Sequence, residues 1–172
     1  MYENLITIVI PVKEKPSIVY DFIIKNMGLL AQCTVITIDT EGGEQLKEFS
    51  DIYEKGIIRM TIARKHAYSL VKTPFILNLD ADNILPKGYV DEALMLLQSQ
   101  EDVAVVAIDY EKCLGHYGFG TSLWRTEVLK AFYDYKEGNV LCECVYMWRK
   151  VHQAKLKIET LPYRAGHLKG DV

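Results

Sequence analysis

Apolar residues in this chain gather in short unbroken runs, and between the runs they recur every third or fourth position. Leu5, Ile6, Thr7, Ile8, Val9 and Ile10 are β-branched and almost wholly apolar, as in a strand covered on both faces, and Pro11 is expected to end it. From residue 16 to 27, Val19, Phe22, Ile23 and Met27 return at helical spacing, with Pro16 in the first turn and Gly28 just beyond the last. A second strand is expected over residues 34–38, stopped by Asp39-Thr40-Glu41-Gly42-Gly43. A helix over 44–54 carrying Leu46, Phe49 and Ile52, a strand over 57–62 and a helix over 63–71 follow. Phe75, Ile76, Leu77, Asn78 and Leu79 then form a fourth strand that runs straight into Asp80.

A helix over 89–98 and a strand over 103–108 continue the alternation, which is that of an α/β fold with a mainly parallel sheet. Residues 110–120 are rich in Gly and Tyr and keep no period, which suits an active-site loop or irregular strand. Helices over 127–133 and 142–154 and a short strand over 157–160 complete the pattern. With no repeat and no linker, residues 1–172 are expected to form a single domain.

Composition narrows the classes. Lys and Arg total 20 against 23 Asp and Glu, a net charge of -3, and nothing in that balance calls for a nucleic-acid partner. Cys33, Cys113, Cys142 and Cys144 fit no zinc spacing, and Cys142 and Cys144 are too close for an ordinary disulfide, so reduced thiols and a cytoplasmic location are expected. The run 5–10 is far shorter than the roughly 20 residues of a spanning helix, and no transmembrane segment is expected. Lys155, Lys157, Arg164 and Lys169 read as a solvated basic face, with a peripheral approach to an anionic membrane as the alternative.

Ligands of open parallel sheets bind beyond the carboxyl ends of the strands. The polar residues collect there: Pro11-Val12-Lys13-Glu14 after the first strand, Asp39-Thr40-Glu41 after the second, Asp80-Ala81-Asp82-Asn83 after the fourth. Two carboxylates at the rim of a low-dielectric core need a compensating charge, which a hard divalent cation supplies while keeping coordination positions open for phosphate. The alternative for an Asp-x-Asp pattern is a solvated turn.

Taken together, Val9-Ile10-Pro11-Val12, Ile38-Asp39, Ala63-Arg64-Lys65 and the run from Phe75 to Asn83 resemble, in order and spacing, the nucleotide-binding half of GT-A fold glycosyltransferases, particularly family 2. The resemblance implies a single-domain Rossmann-like fold with a twisted, mainly parallel sheet. Residues up to about 100 would then form a nucleotide-sugar-binding half and 101–172 an acceptor-side half. It implies transfer of a sugar from a UDP- or GDP-sugar to a hydroxyl of a glycan, lipid or protein acceptor, with Mn²⁺ or Mg²⁺ as cofactor.

By the same resemblance Pro11, Val12 and Ala81 line the nucleotide-sugar pocket, Asp39 accepts a hydrogen bond from the base, and Arg64 lies near the nucleotide. Asp80 contacts ribose or the metal, Asp82 ligates the metal, and His167 is a third ligand or a diphosphate contact. Gly118-Phe119-Gly120 and Trp124 would lie on the acceptor side. Cys142-Glu143 with Arg149 resembles the family's acidic pair and its arginine, with Cys142 replacing one acid, so that Glu143 is the general base of an inverting transfer.

Bland readings stand beside these. Glu143 opens a helix, where any carboxylate is favoured by the dipole. His167 suits a solvated tail, His66 packs or caps within its helix, His116 could touch a sugar, Lys13 is a solvated loop lysine, and Trp148 is core. Two other function classes remain open. A haloacid dehalogenase-type phosphatase would use Asp80 as nucleophile, but its Asp-x-Asp strand comes first in the chain. A non-catalytic nucleotide-sugar-binding protein is suggested by Cys142.

Overall fold

Alternate residues of the central strand feed two different cores. In β1 (Ile6–Lys13), Ile6, Ile8, Ile10 and Val12 pack into one cluster and Val9 into the other. A strand buried on both faces needs a helical layer on each. α1 (Pro16–Leu30) and α3 (Tyr89–Ser99) cover the first face, while α2 (Met60–Leu70), α4 (Thr126–Phe132) and α5 (Glu143–Gln153) cover the second. The structure is a computed structural model that describes residues 2–56, 59–108, 118–136, 138 and 141–168.

The remaining strands are β2 (Thr34–Glu41), β3 (Ile52–Lys55), β4 (Phe75–Leu79), β5 (Asn83–Ile84), β6 (Val103–Ile108), β7 (Thr121–Arg125), β8 (Lys157–Leu161) and β9 (Gly166–His167). Among the described residues, β1 and six of these form one sheet in the order β3-β2-β1-β4-β7-β6-β8, and β5 pairs with β9 in a two-stranded ladder outside it. β7 runs antiparallel between β4 and β6, and the other ladders of the large sheet are parallel, as expected for an α/β fold.

Three expectations need correction. Pro11 does not end β1: pairing with β4 stops at Val9–Asn78, so Pro11 falls where β1 has a neighbour only in β2, and the missing N–H is tolerated. Residues 44–54 are not one helix. A 3₁₀ turn (Glu44–Phe49) buries Leu46, and β3 then pairs Ile52 with Ile36, started by the Asp51 carboxylate accepting the Val35 N–H at 2.8 Å. The strand expected over 57–62 is absent from residues 60–62, which begin α2, while 57 and 58 lie outside the described residues. On α1, Met27 is exposed and Asn26 takes the buried place beside it.

Most of the expected 110–120 loop, with His116 and Cys113, lies outside the described residues, as does Lys169. Among the described residues, no helix is long and apolar enough to cross a membrane, and Cys33, Cys142 and Cys144 are free thiols.

Candidate active site

The carboxyl end of β4 turns sharply. The Asp80 N–H donates to the Gly120 carbonyl at 3.0 Å and the Asn83 N–H to the Asp80 carbonyl at 3.0 Å, which holds residues 80–83 in a tight loop. A Cβ at Gly120 would overlap the Asp80 carboxylate, so any side chain there must displace it. β5 leaves this loop and pairs with β9, with Asn83 opposite His167, and the Leu168 N–H donates to the Asp82 carbonyl at 2.7 Å. The ladder thereby carries His167 from the far end of the sequence to Asp82, with Nε2 at 3.3 Å from Oδ2. His167 Nδ1 is buried and has no hydrogen-bond partner.

α2 supplies the second component. Arg64 is buried, and its guanidinium joins two carboxylates: Nη2 lies 2.5 Å from Asp80 Oδ1, and Nη1 pairs with Glu143 Oε2. The guanidinium lies over the Phe119 ring, 5.3 Å from its centroid. Burial alone would lower the Arg64 pKa, but Asp80 and Glu143 outweigh it and the net shift is upward, so the group stays charged. Glu143 opens α5, and Tyr133 donates its hydroxyl to Oε1. Burial, then the neighbouring Tyr68 and Glu143, push the Tyr133 phenol far above its ordinary range, which keeps it a donor.

These side chains surround a cavity of about 310 Å³ lined by Arg64, Asp80, Asp82, Asn83, Gly118, Phe119, Gly120, Thr121, Glu143, Cys144 and His167. The lining carries three carboxylates, those of Asp80, Asp82 and Glu143, against the single guanidinium of Arg64. A divalent cation would balance them. Among the described residues no three His, Cys, Asp or Glu side chains are grouped to hold a metal ion. Asp82 and His167 nevertheless fit an ion that keeps several waters: two adjacent ligands at about 2.1 Å from one ion stand about 3 Å apart, close to the separation of Nε2 and Oδ2. Carboxylate and water suit both Mn²⁺ and Mg²⁺, and the softer imidazole donor favours Mn²⁺ over the harder Mg²⁺.

The other expected residues are placed as follows. Gly118 lies on the cavity wall. Trp124 does not face an acceptor: it is fully buried and stacks on Trp148 at 5.3 Å, with Nε1 donating to Ser122 Oγ, so core packing replaces the expected surface role. Val12, Pro11 and Ala81 are buried. Asp39, expected to meet a base, is fully buried and accepts from the Gly43 N–H at 3.0 Å and the Tyr53 hydroxyl at 2.5 Å. Its carboxylate thus fixes the Gly42-Gly43 turn, where Gly42 has φ +84° and a Cβ on Gly43 would stand 2.8 Å from Val12 Cγ1.

Arg149 is exposed, so the arginine that serves Glu143 is Arg64. His66 pairs with Glu54 at 2.7 Å, Lys13 is exposed, and Lys157 pairs with Asp102 at 2.7 Å. Tyr133 and Asn26 were not marked by any motif. Asn26 is buried on α1 and donates to the Asn83 carbonyl at 3.0 Å while accepting the Leu85 N–H at 3.1 Å, which anchors the loop after Asp82.

No protein-family model matches the sequence, and no curated protein matches it. Solved structures do match in three dimensions. A mannosyltransferase from Pyrobaculum calidifontis in complex with GDP-Man and Mn²⁺ superposes with a TM-score of 0.74 at 11% identity, covering 94% of this chain and 56% of the other. Glucosyl-3-phosphoglycerate synthase from Mycobacterium tuberculosis, in complex with Mn²⁺ and UDP-Glc, gives 0.71 at 13% identity, covering 95% and 71%. Residues 1–349 of S. aureus TarS give 0.64 at 12% identity, covering 93% and 58%. The chain thus spans little more than half the length of the mannosyltransferase and of the TarS fragment. It has the GT-A fold, a Rossmann-like α/β arrangement with a mainly parallel sheet.

Proposed function

We propose that this chain transfers a sugar from a nucleoside-diphosphate sugar, with UDP or GDP as the nucleotide, to a hydroxyl of a glycan, lipid or protein acceptor. The observation that carries the reading is the meeting of Asp82 with His167 in the cavity that also holds Asp80, Arg64 and Glu143. Four separate stretches of sequence contribute to it, and a solvated Asp-x-Asp turn would need none of the others. Residues up to about 100 would form the donor half, with the nucleoside passing over the loops that Pro11, Val12 and Asp39 shape, and 101–172 the acceptor half.

Asp82 and His167 would hold Mn²⁺ or Mg²⁺, with Asp80 on the same loop. When bound, the metal supplies positive charge beside the leaving diphosphate. Arg64 would hold Asp80 toward the donor. Glu143, at the start of α5, would take the acceptor hydroxyl's proton as that oxygen bonds to the anomeric carbon and the bond to the diphosphate oxygen breaks, its electron pair leaving with the diphosphate. Attack from the face opposite the leaving group inverts the anomeric centre.

The test is thermal shift with UDP, GDP and their sugars, each with Mn²⁺ or EDTA, followed by release of free nucleotide from the stabilising donor. Metal-dependent stabilisation and turnover lost in Asp82→Ala are expected. No stabilisation at saturating nucleotide would end the proposal. Stabilisation without turnover would favour a nucleotide-sugar-binding protein, a reading motivated by the engagement of both Glu143 oxygens.

A further inference from the structure

Glu143 is gripped from two sides by groups that no sequence motif connects to it. Oε2 pairs with Arg64 and Oε1 accepts from Tyr133. Both partners are themselves immobilised. Tyr133 is buried, meets Tyr68 edge to face at 4.9 Å and stacks on Phe119 at 6.0 Å, and Phe119 in turn lies beneath the Arg64 guanidinium. One packed aromatic unit therefore supports both contacts to a single carboxylate.

A surface glutamate at the start of a helix samples several rotamers, and the helix dipole does not choose among them. Two directional contacts do. A carboxylate can accept more than one bond at each oxygen, so contacts that orient it do not by themselves exclude a substrate hydroxyl. The same guanidinium that holds Oε2 also holds Asp80 at 2.5 Å, so the two walls of the cavity share one anchor.

We infer that Tyr133 is a positioning residue for Glu143: its hydroxyl fixes the carboxylate toward the cavity while Arg64 ties it to the donor-side Asp80. This rests on the proposed reading of Glu143 as the base. Tyr133 does not line the cavity, so it acts through Glu143 and not on the donor.

The experiment compares wild type, Tyr133→Phe, Glu143→Gln and the double variant on the nucleotide sugar that wild type turns over. Tyr133→Phe keeps the ring and its stacking, and an unchanged circular-dichroism spectrum with a single cooperative melt verifies the fold. It should lower kcat about tenfold while the donor KM stays within about twofold, since one hydrogen bond to a charged group is lost. Added to Glu143→Gln, it should cost little more, because a residue acting through another has no separate effect once that other is gone. Unchanged kcat in Tyr133→Phe, a donor KM that rises in step, or fully additive losses in the double variant would overturn the inference. If Glu143→Gln falls below detection, the split between kcat and KM in Tyr133→Phe decides alone. Wild type inactive on every nucleotide sugar would instead sink the underlying reading.

Discussion

Asp82 Oδ2 and His167 Nε2 stand 3.3 Å apart because a two-residue ladder, Asn83 against His167, joins the loop after β4 to the last described strand. A shared cation is one use of such a pair, and a plain hydrogen bond is the other. The two differ in what removal of the imidazole does. If His167 is a ligand, His167→Ala should weaken Mn²⁺ affinity by at least about tenfold, read as a rightward shift of the Mn²⁺ dependence of the melting temperature. Unchanged dependence would leave His167 with the hydrogen bond alone.

Gly120 has no room for a side chain, since its Cβ would overlap the Asp80 carboxylate that Arg64 holds. Gly120→Ala should push that carboxylate off the guanidinium. Loss of the contact leaves Arg64 still paired with Glu143 and the partly exposed Asp80 carboxylate able to meet water, so the cost is that of one charge-assisted hydrogen bond, about 1.5–3 kcal/mol. Urea denaturation should show a loss of that order. A variant within about 0.5 kcal/mol of wild type would mean that the loop relaxes freely.

The alternation of apolar runs and helical periods made the sheet and its helices legible, because a strand buried on both faces is apolar at most of its positions. β4 ending in Asp80 followed from the run 75–79 alone. What could not be read were contacts set by tertiary packing. Arg64 and Glu143 lie far apart in sequence, and nothing local marks Tyr133 as the residue between α4 and α5 that meets Glu143. Trp124 misled because a tryptophan beside a glycine-rich segment suits a sugar platform and a core equally, and only the placement of Trp148 against it decides. The register of β3 was missed because Ile52 fits a helical stripe as well as it fits Ile36 across a ladder.

Cys33 is buried, and burial pushes its thiol up to about 12 from an ordinary value of 9.0. The folded protein therefore holds a proton that the unfolded chain releases. That contribution to stability is complete below about pH 9 and fades as pH rises toward 12. At pH 8 a thiol reagent should react with the exposed Cys142 and spare Cys33 until the protein unfolds. Mass mapping of the labelled cysteines checks this, and prompt labelling of Cys33 in the native protein would show that the turn between α1 and β2 opens.

Asn26 anchors the Asp82 loop from below, with its amide donating to the Phe22 and Asn83 carbonyls and its oxygen accepting the Leu85 N–H. Asn26→Ala leaves the Leu85 N–H and the Asn83 carbonyl without this partner, at about 1–3 kcal/mol for each buried group left unsatisfied. Asn26→Asp is the sharper test. Its carboxylate can still accept from Leu85 but would face two carbonyl oxygens in a buried site, so its pKa should rise above the usual value of about 3.9. Below that raised pKa the acid form donates one bond again. The deficit of Asn26→Asp relative to wild type should therefore shrink as pH falls from 8 to 5, whereas that of Asn26→Ala should not. Denaturation midpoints of both variants across this range provide the check, and parallel profiles would show that water, not Asn26, satisfies the loop.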